Sequence, residues 1–181
     1  MKIILSLLIF SLFTNNSFAS ENWTVEKILG DKFISVSTFG IITHGDRYRL
    51  LIKTEGDCSK VEETFTIYTA ANHPKISKIE NKKIAIEYND QIKLGNILTS
   101  SKFLMGHTIF VSTGLIDIDK HIASLNKKTE LHIKVVGVID NVKKKTGWKA
   151  EEMFDIAFNS WNLKGISEAL KKGQQACLNS L

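Results

Sequence analysis

From Trp23 onward, apolar and polar side chains alternate with a period of two along most of the chain, the spacing of strands that bury one face and wet the other. Residues 33–37 predict a first strand. Residues 47–53 predict the next, with Tyr48, Leu50 and Ile52 inward and Arg47, Arg49 and Lys53 outward. His44-Gly45-Asp46 turns between them, because Gly accepts a positive φ and Asp bonds its own backbone. A second turn at residues 56–59 leads into residues 63–69, where β-branched and aromatic side chains dominate. Asn72-His73-Pro74 breaks the pattern at the only proline. Ile84, Ile86 and Tyr88 then alternate with Lys83, Ala85 and Glu87, Asn89-Asp90 turns, and Ile92 and Leu94 continue on a hairpin partner. Residues 103–111 are apolar on both faces, which predicts one central strand.

Helical spacing occurs twice. Leu115, Ile118, Ile122 and Leu125 predict a short helix, with Asp117 or Asp119 as its cap. Residues 130–139 return to strand with Leu131, Ile133 and Val135 inward, a charged loop covers 141–147, and Trp148 leads toward the last strand. Phe154, Ile156 and Phe158 alternate with Asp155, Ala157 and Asn159 to predict that strand. Leu163, Ile166, Ala169, Leu170, Ala176 and Cys177 then fall near one face of a closing helix. Such a narrow apolar strip does not hold a short helix alone, so the helix docks on the sheet. Roughly seven to nine short strands predict a mainly β protein, an antiparallel β-sandwich or barrel-like sheet with a short inserted helix and a C-terminal helix.

The first 19 residues read as an export signal: Lys2, the apolar run of residues 3–13, and a small-x-small site at Ser17-Phe18-Ala19. The run is too short to span about 30 Å of hydrocarbon, so no stable membrane anchor is expected, and residues 20–181 are expected to form a single β-rich domain. Export places the protein in the periplasm or outside the cell, where two cysteines, Cys58 and Cys177, pair as a disulfide. That bond would tether the closing helix and remove roughly 4–5 kcal/mol of unfolded-state entropy. Two inert buried thiols are the alternative. The net charge of +5 is spread over many lysines and suits a solvated surface more than a polyanion partner, so no nucleic acid is expected.

No constellation of reactive residues stands out. The five histidines (His44, His73, His107, His121 and His132) form no metal-ligand spacing, and neither cysteine has a close thiol or imidazole neighbour. His107, on an otherwise apolar strand face, reads as a hydrogen-bonded core residue before it reads as a base. There is no G-x-S-x-G elbow and no phosphate-cradling glycine loop. The carboxylate pairs Glu62-Glu63, Glu151-Glu152 and Asp117/Asp119 read as solvated. No catalytic residue, cofactor or metal is therefore assigned. Lys143, Lys144, Lys145, Trp148 and Lys149 mix charge with an aromatic and form a possible partner surface, although a lysine-tipped hairpin also keeps strand edges from pairing. Asn22-Trp23-Thr24 matches the glycosylation pattern, but the Lys-, Ile- and Asn-rich composition points to a bacterium and sets it aside.

The segment Trp161-Asn162-Leu163-Lys164-Gly165-Ile166-Ser167-Glu168-Ala169-Leu170, followed by Cys177, resembles the C-terminus of the invasion-associated locus B family and of related periplasmic accessory proteins of secretion systems. The resemblance covers mainly the last segment and the overall β pattern. It implies a β-sandwich with a disulfide-tethered C-terminal helix. Trp161, Leu163, Ala169 and Leu170 would pack, Gly165 would open the helix, and Cys177 would bridge to Cys58. It lends no catalytic residues, and it implies an envelope role, linked to host association. The expected function is a non-catalytic binding or accessory protein with a protein or envelope partner. A small exported inhibitor or immunity-type protein is one alternative. An envelope hydrolase with His107 or His132 as base is another. Export carries its own test: intact-mass analysis of secreted or periplasmic protein should give a chain beginning at Ser20, and soluble material retaining residues 1–19 would defeat the signal reading.

Overall fold

The computed structural model describes residues 22–43, 45–71, 73–141 and 146–181. Residues 1–19, read as an export signal, lie outside the described residues, as do His44, Lys143, Lys144 and Lys145. Among the described residues the alternation becomes one antiparallel sheet of ten strands: β1 (Thr24–Ile28), β2 (Phe33–Phe39), β3 (Arg47–Lys53), β4 (Lys60–Thr69), β5 (Lys83–Tyr88), β6 (Gln91–Phe103), β7 (Gly106–Asp117), β8 (Glu130–Asn141), β9 (Thr146–Lys149) and β10 (Phe158–Asn162). The strand order is β1-β2-β3-β4-β7-β6-β5-β8-β10, with β9 on β8. The sheet curls so that its far end meets the loop after β2: the Ile41 amide donates to the Ser160 carbonyl at 2.8 Å. Asn159 reinforces this closure, accepting from the Ile42 amide and donating to the Asp46 carboxylate.

The inward rows build one core. Tyr48, Leu50 and Ile52 of β3, Phe65 and Ile67 of β4, Ile84 and Ile86 of β5, and Leu131, Ile133 and Val135 of β8 are buried, as the alternation predicts. Aromatic rings fill the middle, with Tyr48 stacked on Phe65 at 5.1 Å and Trp161 tilted against both. The Asn89-Asp90 turn has both residues at positive φ (46° and 67°), the geometry of a tight two-residue hairpin.

Among the described residues three α-helices accompany the sheet: α1 (Ile118–Leu125), α2 (Ala150–Met153) and α3 (Ile166–Leu178). Asp117 caps α1 by accepting from the Lys120 amide. Gly165, at φ 84°, turns the chain into α3, which buries Ile166, Ala169, Leu170, Gly173 and Cys177. Gly173 is required by close approach: a Cβ there would stand 2.6 Å from a Val36 methyl carbon on β2. Cys177 is disulfide-bonded to Cys58 across 119 residues, so the closing helix is tied to the turn before β4.

Several expectations about the elements need correction. β1 is an additional strand that precedes the expected first one. Residues 103–111 are not one strand: Phe103 pairs with Gly106, and Leu104-Met105 form a hairpin turn. Apolar turn residues carry no turn signal, so the run looked continuous. β7 extends through Leu115 to Asp117, delaying α1 to Ile118. Residues 154–157 are not strand: Glu152 accepts from the Lys149 amide to cap the start of α2, and the Asp155 carboxylate takes the Thr69 hydroxyl and Ala70 amide, so the chain rejoins β8 only at Ala157, whose carbonyl accepts from the Val135 amide.

Because α3 covers β1, β2 and β3, releasing it should expose the core. Reduction should lower the melting temperature on the order of 10 °C, from the loop-closure entropy of a bridge this long. Leu170→Asp should destabilise by several kcal/mol, because the charge has no partner on the docking face. Coincident melts of oxidised and reduced protein would show that the tether contributes nothing.

Candidate functional site

Glu63 sits on the inward row of β4 between Val61 and Phe65 and is completely buried. Its Oε1 accepts from the Tyr48 hydroxyl at 2.9 Å and the Tyr88 hydroxyl at 2.8 Å, and its Oε2 accepts from the Thr113 hydroxyl at 2.5 Å. Thr113 points inward because the β4–β7 register shifts between Glu63 and Thr64, a bulge that leaves Thr113 unpaired beside Gly114 at φ 108°. His121, 3% exposed on α1, places Nε2 2.8 Å from the Tyr48 oxygen and 3.7 Å from Glu63 Oε1. Burial, and then the Glu63 charge, pushes the Tyr48 and Tyr88 hydroxyls up, so both stay protonated and donate. Burial pushes His121 down, against the pull of Glu63 and with the push of Lys93, and holds the ring neutral. The one Tyr48 proton goes to Glu63, so His121 Nε2–H donates to Tyr48 and Nδ1 is left as an acceptor, a tautomer assigned from the network. The chain His121–Tyr48–Glu63 is thus a closed relay. Both carboxylate oxygens are engaged, and the arrangement fixes positions rather than withdrawing a proton from a substrate.

Above the relay lies a pocket of about 320 Å³ between the β5–β6 turn and α1, walled by residues that include Tyr88, Lys93, Lys120, His121 and Lys128. Lys93 faces inward because β6 inverts the expected polarity. Gln91, Lys93 and Gly95 pair with Tyr88, Ile86 and Ile84 on the inner face, while Ile92 and Leu94 point outward, 63% and 55% exposed. The Lys93 ammonium lies 3.4 Å from the Tyr88 ring centroid and 4.0 Å from Glu63 Oε2.

At the other end of β6 the hairpin tip carries Phe103, Leu104 and Met105, exposed to 56%, 78% and 93%. Leu104 adopts φ 52°, a conformation that costs a branched side chain roughly 1–2 kcal/mol and that glycine takes freely. Ser100, on the same strand, donates to the Ile76 carbonyl of a 3-10 turn (Ile76–Lys78). Lys75, just before that turn, reaches over the Trp148 ring at 5.3 Å, and Lys82 lies at 5.9 Å. Trp148, on β9, is half-buried and walls an apolar groove of about 430 Å³ that includes Ala85 and Val136. Lys149 beside it is exposed. The tip and Trp148 therefore belong to one end of the molecule, and the polar relay lies toward the other.

Sequence reasoning named His107 and His132, and the structure separates them. His132 is exposed on β8 with Glu130 3.6 Å away, and His107 is half-buried with Nδ1 lacking a partner. The pair Glu62-Glu63 is not solvated as expected, since Glu63 belongs to the core. Glu63, His121, Tyr48, Tyr88 and Thr113 were missed as a group. Two signals were present: Glu63 alternates in step with Phe65 and Ile67, and His121 stands on the buried stripe of Ile118, Ile122 and Leu125. Among the described residues no group of His, Cys, Asp and Glu could hold a metal ion, and no helix is long and apolar enough to cross a membrane.

These features define a curled antiparallel β protein with a buried polar relay and an exposed apolar tip. Compared with known proteins, the chain matches no family model, no curated protein and no solved structure.

The relay gives a pH signature. A histidine whose folded value is depressed leaves the unfolded chain with more protons, so stability holds above 6.5 and falls as the pH drops below it, until the folded value is also passed. Equilibrium unfolding at pH 7 and pH 5 should show that loss, and His121→Gln, which cannot titrate, should reduce it. Tyr48→Phe should destabilise by about 1–3 kcal/mol by stripping Glu63 of a donor. An unchanged pH slope in His121→Gln would contradict the assignment.

Proposed function

We propose that this is an exported periplasmic or secreted protein that works by binding, as a non-catalytic accessory factor of the envelope, with its contact surface at the hairpin-tip end. The observation that carries this is the tip itself: three consecutive large apolar side chains are presented to water, one of them in a conformation that favours glycine. Surface selection normally removes such runs, and a strained apolar turn is retained where something is contacted. Trp148, with Lys75, Lys82 and Lys149 around it, adds an amphipathic platform at the same end. Lys143, Lys144 and Lys145 precede β9 in sequence and add positive charge to that stretch of the chain.

The export reading rests on the signal pattern of residues 1–19, and the disulfide fits an oxidising compartment. The likeness of residues 161–177 to the invasion-associated locus B terminus supports the envelope assignment, and a host-association role is the finest level of that reading. An inhibitor or immunity-type protein would use the same tip to plug a partner enzyme. The hydrolase alternative loses support from the full engagement of Glu63, whose two carboxylate oxygens both accept hydrogen bonds.

Leu104→Gly/Met105→Ser separates fold from function. Stability should stay unchanged or rise by up to about 1 kcal/mol as the turn relaxes. Recovery of partners in crosslinked co-purification from envelope extracts should fall, as it should for Lys143→Glu/Lys144→Glu/Lys145→Glu if the contact is partly electrostatic. His107→Ala and His132→Ala should recover the same partners as wild type. Loss of activity in a folded histidine variant, with the tip and lysine variants unaffected, would replace the binding reading by the hydrolase one.

A further inference from the structure

The pocket beside α1 holds more positive charge than the fold neutralises. Lys93, Lys120 and Lys128 border it, and no carboxylate is among its lining residues. Lys93 is offset by Glu63 at 4.0 Å, but neither Lys120 nor Lys128 has a carboxylate within 4.0 Å among the described residues. Scattered surface lysines are ordinarily just solvated. This group differs in two respects. Lys93 occupies an inward position of β6, opposite Ile86 of β5, and a completely buried carboxylate and an aromatic face hold its ammonium there. His121, more than nine-tenths buried, forms part of the same wall, and its Nδ1 has no hydrogen-bond partner among the described residues. A fold that only needed a closed core at this point would use an apolar residue at position 93 and leave Tyr48 to Glu63.

We propose that this pocket binds a small, multiply charged oxyanion carrying an O–H group, of the phosphate or hydroxy-polycarboxylate kind, between Lys93, Lys120 and Lys128. The concave wall and the low-dielectric floor strengthen the field of the three ammonium groups at its centre. Lysines recognise such ligands as point charges, so the geometry tolerates either oxyanion class. Gln91 at the rim supplies an amide donor. His121 Nδ1, left as an acceptor by the relay, receives the ligand's O–H and gives the site its orientation. A volume of about 320 Å³ lies at the small end of ligand sites, which suits a compact anion and excludes a polymer chain. The site is independent of the hairpin-tip contact, since it lies toward the opposite end of β6.

Isothermal titration of the full protein with inorganic pyrophosphate and, separately, with citrate in low-salt buffer at neutral pH tests this. At least one of the two should bind saturably at one site per chain, and which one does so identifies the class. Lys120→Gln/Lys128→Gln should weaken binding by about tenfold or more, and a thermal melt should show the fold intact because both side chains are exposed. Lys171→Gln/Lys172→Gln, which removes two exposed charges from α3, should leave the affinity unchanged. Titration followed by NMR should shift the His121 imidazole resonances. The proposal is overturned if neither anion binds saturably, if both double variants lose affinity equally, or if the His121 signals do not move.

Discussion

A single carboxylate, Glu63, imposes the tightest constraint on this fold. It stands in an apolar core with no exposure, and it is tolerable there only because hydroxyls from β3, β5 and β7 point at it together, with α1 joining through His121 and Tyr48. Moving a carboxylate out of water costs several kcal/mol, and each charge-assisted hydrogen bond returns about 1.5–3 kcal/mol. Gain and cost nearly cancel, so the network contributes little net stability. Its effect is on register: a one-residue slip of β3, β4 or β7 would turn a donor or the acceptor to the opposite face and leave a buried charge unpaired. The bulge at Thr113 shows how closely the backbone follows this requirement, since the ladder is interrupted where the third donor must turn inward.

The inverted strand β6 follows from the same requirement. Its inner face carries Gln91, Lys93 and Gly95, so part of the interior beside Glu63 is polar, and its outer face carries Ile92 and Leu94 in water. One strand thereby links two chemically different surfaces. Near the β5–β6 turn, cationic side chains border a concavity. At the far end the strand runs into an exposed hairpin tip of Phe103, Leu104 and Met105. Neither surface improves the core, and the tip carries a backbone strain that glycine would remove.

The closing helix α3 answers the remaining problem of a curled sheet, an exposed inner surface along β1, β2 and β3. It presents small residues where approach is closest, Gly173 against Val36, and larger ones, Ile166 and Leu170, where space remains. The disulfide to Cys58 holds its end to the turn before β4, so the last element cannot fray without loosening a neighbour of Glu63.

Alternation alone determined the β class, the inward rows of β3, β5 and β8, the tight turn at Asn89-Asp90, and the docked face of α3, because each depends on local spacing and on which side chains prefer to leave water. With only two cysteines, their pairing was also legible. Periodicity could not find the turn at Leu104-Met105, since apolar residues there look like strand. Nor could it find the polarity inversion of β6, which is set by what Glu63 needs opposite it. Glu63 and His121 lay on buried faces by their spacing, yet their meeting was invisible. They are 58 positions apart, and only the bulge, the curl of the sheet and the approach of α1 bring them within 3.7 Å. Local physics fixed which faces turn inward, and the tertiary structure decided which polar groups share the interior.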